Sequence, residues 1–83
     1  MELRIPEPFL QKHLEAFQIA LEKEQKPGEP IVESVYRGYI LKAAIDVGWA
    51  DKCDIGELKP YEVIDISKQI QDVVAKSRTV PKN

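Results

Sequence analysis

Residues 31–49 read IVESVYRGYILKAAIDVGW, and that pattern leaves few alternatives to a helix. Val32, Val35, Tyr36, Tyr39, Ile40, Ala43, Ala44 and Val47 recur at intervals of three and four. Residues so spaced share one face of an α-helix and give it a broad apolar stripe. Gly48 follows the last periodic residue, where a left-handed residue commonly ends a helix, and Trp49 takes the position that folds back onto the last turn. The pattern predicts a helix over 31–48, the element around which the rest must pack. Gly38 lies in its interior, where glycine costs about 1 kcal/mol relative to alanine. The expected cause is close approach of a second helix backbone, so that Gly38→Leu would overpack the contact by roughly 1–3 kcal/mol.

Eighty-three residues make a single domain with a thin core, because chains of this size bury only about 60–65% of the surface that the unfolded chain exposes. Residues 1–7 are expected as an extended arm, since Pro6 and Pro8 push the residues before them out of helical geometry. Leu3 and Ile5 on that arm suit a groove, on their own domain or on a neighbour. Pro8 is expected to open the first helix, over 8–25, with Leu10, Leu14, Phe17 and Leu21 on one face. Pro27-Gly28 then marks a turn. Beyond Trp49, Asp54 and Glu57 have capping-box spacing and predict a helical turn from Ile55. Pro60 opens a third helix over 60–78, carried by Val63, Ile66, Ile70, Val73 and Val74. Residues 63–67 are β-branched and partly alternating, which offers a short strand instead; the downstream period favours helix. Residues 79–83 form a short tail. The fold expected is all-α, a small three-helix domain.

Chemical signatures are sparse. Cys53 is the single cysteine, so no disulfide within the chain is available and nothing argues for secretion. No apolar leader or membrane-spanning run is present, and the cytoplasm is the expected location. His13, the only histidine, lacks a third residue that would orient it against Cys53 as a nucleophile–base pair. A calcium loop starting at Asp51 places Gly56 and Glu62 correctly, but Cys53 and Ile55 fall where oxygen ligands are needed. The glycines at 28, 38, 48 and 56 are scattered, unlike a phosphate loop. No enzyme activity, cofactor, metal or small-molecule substrate is expected.

Interaction chemistry is better represented. Residues 66–83 carry one acid, Asp72, and four bases, Lys68, Lys76, Arg78 and Lys82. Bases suit the C-terminal end of a helix through its dipole, and equally suit phosphate or an acidic partner. Tyr36, Arg37 and Trp49 are residue types that anchor interfaces, and Trp49, just past a helix end, is expected to be only partly buried. The runs YRGYILKAAIDVGW and LKPYEVIDISKQI, followed by the Pro-Lys-Asn tail, resemble small phage-encoded proteins of the tail-assembly-chaperone-like and head-to-tail accessory kinds. The resemblance covers residues 36–83 and implies a non-enzymatic role in virion assembly, with no site residues attached. A protein partner or self-association is therefore the first expectation. A small nucleic-acid-associated regulator, using the basic last helix and tail, is the alternative. Contacts are expected at the two ends, through Leu3 and Ile5 and through Lys76, Arg78, Val80 and Lys82, because proline-stiffened segments lose little entropy on docking. Deleting residues 1–6 and 79–83 would then leave stability nearly unchanged.

Overall fold

A computed structural model describes residues 1–28, 30 and 32–78. Among them are three α-helices, α1 (Gln11–Glu24), α2 (Glu33–Asp46) and α3 (Pro60–Ser77), with a 3₁₀ turn at Ile55–Glu57. No strand occurs among the described residues, and 61–67 are helical. The tail at 79–83, with Val80 and Lys82, lies outside them. No helix of the described residues is long and apolar enough to cross a membrane.

The architecture is all-α and centred on α2, which packs against α1 and against α3. Ile40, Leu41, Ala43 and Ala44 are its buried residues. Phe17 and Ala20 meet them from α1, and Ile66 and Ile70 from α3. The small side chains of Ala43 and Ala44 are wholly buried, as close packing between two flanking helices requires. Ser67, a buried polar side chain of α3, donates its hydroxyl to the Ile64 carbonyl at 3.0 Å.

The end of α2 follows the expected capping geometry. Gly48 has φ +84°, a conformation that any side chain would strain. Its N–H donates to the Ile45 carbonyl at 3.1 Å, and the Trp49 N–H donates to the Ala44 carbonyl at 2.8 Å. This pair of bonds closes the helix end. Asp54 likewise opens the 3₁₀ turn, although its carboxylate accepts from the Gly56 N–H at 3.0 Å rather than from Glu57.

Elsewhere the structure departs from expectation. Trp49 is buried, only 4% exposed, with its ring stacked on Phe17 at 5.0 Å and edge-on to Phe9 at 5.5 Å. The first helix begins at Gln11 rather than Pro8. Leu10 is extended, and its N–H donates to Nδ1 of His13 at 3.0 Å, so a residue inside the helix caps its start. Val32 and Val35, placed by period on the buried stripe of α2, are exposed, whereas Leu41 is fully buried. The residues of α2 that its two flanking helices bury, Ile40, Leu41, Ala43 and Ala44, all lie in its second half. The N-terminal arm lies on its own domain: Met1, Leu3 and Ile5 pack against the core, and the Arg4 N–H donates to the Trp49 carbonyl at 2.7 Å. Removing residues 1–6 therefore strips contacts from the core, and stability falls with it. Finally, a methyl group at Gly38 would meet nothing within 4 Å. Among the described residues no second helix backbone approaches there, so the glycine carries only its propensity cost.

Gly38→Ala should accordingly raise stability by up to about 1 kcal/mol, read as a higher denaturant midpoint with an unchanged slope. A destabilised alanine variant would contradict the open space at this position.

Candidate functional site

Because α2 packs against both neighbours while α1 and α3 make little contact with each other, a groove is left between the outer two helices. Phe17 and Leu21 of α1, Tyr36 and Ile40 of α2, and Ile70 and Val74 of α3 form its apolar part. Gln18, Glu22, Gln25, Gln71 and Arg78 add polar groups. The groove has a volume of about 530 Å³. Ligand clefts typically fall between about 300 and 1,000 Å³ and bury most of what they bind. This one is an open trough along two helices, which suits a polypeptide segment better than an enclosed small molecule.

Its origin lies in local spacing. From α1 it takes positions 17, 18, 21 and 22, with Gln25 just past its end, and from α3 positions 70, 71, 74 and 75, with Arg78 just past its end. Intervals of three and four keep each set on one helix face. Phe17 and Ile70 are buried in the core, whereas Glu22, Gln71 and Arg78 are exposed. Arg78 makes no ion pair among the described residues. A carboxylate on an incoming segment would meet the Arg78 guanidinium there.

The residues singled out by sequence are scattered. Tyr36 lines the groove, half-buried, and Arg78 belongs to it. Lys76 is exposed in the last turn of α3. Arg37 is held by Glu33 at 2.6 Å and lines a smaller hollow with Ile55, Leu58, Val63 and Ile64. Trp49 is in the core, while Leu3 and Ile5 pack on that core from the arm. Val80 and Lys82 fall outside the described residues. Leu21, Gln71 and Val74 escape sequence reasoning as site residues. Their helical period is legible, but period alone does not say which neighbour a face meets.

Other candidates are engaged elsewhere. His13 is tied to the Leu10 N–H and packs near Phe9. Cys53 is exposed and lines a separate hollow with Val35, Gly38, Tyr39 and Lys42. Asp51 pairs with Arg4, and Asp54 caps the 3₁₀ turn. Among the described residues, no three histidine, cysteine or acidic side chains are grouped to hold a metal ion. The exposed bases of α3, Lys68 and Lys76, share that helix with the exposed acids Asp65 and Asp72. That mixture differs from the one-signed stripe that phosphate binding uses.

No known protein family, curated protein or solved structure matches this chain.

One electrostatic conflict crosses the helices. Burial holds the Glu24 carboxyl above the usual carboxylate range, and Asp46 of α2 adds to the rise, while Lys42 opposes it. Asp51 is displaced downward by its hydrogen bond from Arg4 and by that residue's charge.

The Glu24 conflict gives a pH signature. A carboxyl raised in the folded state favours the protonated form, so its contribution to stability grows as pH falls from neutral toward the ordinary glutamate value of about 4.3. Glu24→Gln should therefore gain up to about 0.5 kcal/mol at neutral pH, the usual ceiling for surface substitutions. The gain should shrink as pH falls through that window. Denaturant midpoints of both proteins, taken from neutral pH down to that value, read the difference. A gain that grows on acidification would contradict the assignment.

Proposed function

We propose that this chain is a non-enzymatic protein–protein interaction module, an assembly factor or small structural subunit that receives an amphipathic helix of a partner protein between α1 and α3. The observation that carries the reading is the open apolar groove floored by Tyr36 and Ile40 and flanked by Leu21 and Val74. Packing of α2 against two helices leaves open the place that a fourth helix fills in a four-helix bundle. Helix-in-groove binding uses apolar anchors at one-turn spacing, and the apolar lining that would receive them here comes from all three helices. Glutamines and Arg78 at the groove supply hydrogen bonds and one positive charge to fix orientation. The resemblance of residues 36–83 to phage tail-assembly-chaperone-like and head-to-tail accessory proteins directs the reading toward virion assembly.

The test is comparative capture from a lysate of the source cells. Leu21→Arg with Gln71→Arg should reduce recovery of the principal partner at least about tenfold, since charges placed among buried apolar contacts oppose binding by more than about 1.4 kcal/mol. Ile64→Arg, in the hollow beside the 3₁₀ turn, should leave recovery unchanged. Circular dichroism melts verify that each variant is folded. A partner retained by the groove variant and lost by Ile64→Arg would move the interface away from α1 and α3.

A further inference from the structure

Taking the groove as the binding surface proposed above, on which this reading rests, we infer that the helix it receives carries a basic flank and an acidic flank beside its apolar stripe, and that this polarity sets the direction in which it lies. The two walls of the groove are each layered by helical period. On α1 the inner row is Phe17 and Leu21, and the outer row is Gln18 and Glu22, continued by Gln25 just past the helix end. On α3 the inner row is Ile70 and Val74, and the outer positions are Gln71 and, just past the helix end, Arg78. The inner residues are buried or half-buried, whereas Glu22, Gln71 and Arg78 are exposed. An apolar centre with a polar, solvent-facing rim is the usual layout of a protein interface.

The rims differ in charge. Among the described residues that line the groove, Glu22 is the one acid and Arg78 the one base, and they stand on opposite walls. Neither makes an ion pair among the described residues, with the other or with a neighbour. The remaining polar side chains of the rims are the neutral amides of Gln18, Gln25 and Gln71, so these two residues set the contrast. A helix seated with its apolar stripe over Tyr36 and Ile40 turns one flank to each wall. A base on the flank facing α1 meets Glu22, and an acid on the flank facing α3 meets Arg78. The opposite arrangement sets like charges together at both walls, which opposes binding. Turning a helix end for end exchanges its flanks, so a given sequence fits in one direction. Charges beside an apolar seam set partner choice and orientation in coiled coils by the same means. Exposed pairs add little affinity; their effect here is selection among helices and between directions.

Synthetic helices of about 18 residues with one shared leucine stripe make the test. Two of them carry Lys along one flank and Glu along the other, with the flanks exchanged between the two. Two controls carry Lys on both flanks or Glu on both. Fluorescence anisotropy with the full-length chain at low salt should show each mixed helix binding about fivefold more tightly than either control, and added salt should narrow that gap. A nitroxide at the N-terminus of each mixed helix then reads direction in the isotope-labelled chain. One mixed helix should broaden the amide resonance of Gln18 and the other that of Gln25, at opposite ends of the α1 wall. The exchanged chain, Glu22→Arg with Arg78→Glu, should reverse that assignment. Both residues are exposed, and circular dichroism checks that the exchanged chain keeps its helices. Mixed helices that bind no better than the controls, or that lie in the same direction in both chains, overturn the inference. The groove reading survives that result if Leu21→Arg with Gln71→Arg abolishes their binding. Helices that bind the native chain no better than that variant remove the groove as a site, and the inference with it.

Discussion

The Trp49 indole lies flat against Phe17, with an interplanar angle of 6°, and meets Phe9 edge-on at 70°. Its own peptide N–H closes the end of α2, and its carbonyl receives the N–H of Arg4. One residue thereby ties together the first helix, the segment before it, the end of the central helix and the N-terminal arm. It belongs to the same buried cluster as Ile66 and Ile70, which joins α3 to the same core. Aromatic pairs of this geometry contribute about 0.5–1.5 kcal/mol each beyond the area they bury. Replacing a buried tryptophan by alanine costs about 3–5 kcal/mol. Set against roughly 4–12 kcal/mol for a domain of this length, that is a large share of the whole.

The rest of the architecture depends on getting the chain to that position. Gly48 makes the left-handed step that α2 needs before Trp49 can turn back over it. The arm then covers what the three helices leave open, contributing Met1, Leu3 and Ile5 to a core that is otherwise thin. Coverage at the arm contrasts with exposure at the groove, where α1 and α3 stand apart over Tyr36 and Ile40. The chain closes one surface with its own terminus and leaves another open along two helices. The proposed interaction role grows from that asymmetry.

Much of the fold was legible because helical period is a local property. The three helices, the glycine stop at Gly48 and the turn opened by Asp54 all follow from residues within a few positions of one another. What escaped depends on distant residues meeting. Position alone makes Trp49 half-exposed, because its aromatic neighbours Phe9 and Phe17 come from the other end of the chain. The start of α1 moves to Gln11 because His13 reaches back to Leu10, a role no spacing rule assigns to histidine. Gly38 suggests a close contact that the packing does not make. The groove was half-legible: Tyr36 and Arg78 stand out by residue type, but Leu21 and Val74 acquire meaning only once α1 and α3 are placed on α2. The conflict between Glu24 and Asp46 likewise arises only when α1 and α2 come together.

Trp49 is the only tryptophan in the chain, so its fluorescence reports on the central contact without interference. Buried as it is, the indole should give blue-shifted emission in the folded protein and be strongly protected from iodide. Removal of residues 1–5 should increase iodide access, because the arm packs on the cluster that contains the indole. Red-shifted emission freely quenched by iodide in the folded, full-length chain would contradict the claim that Trp49 organises this structure.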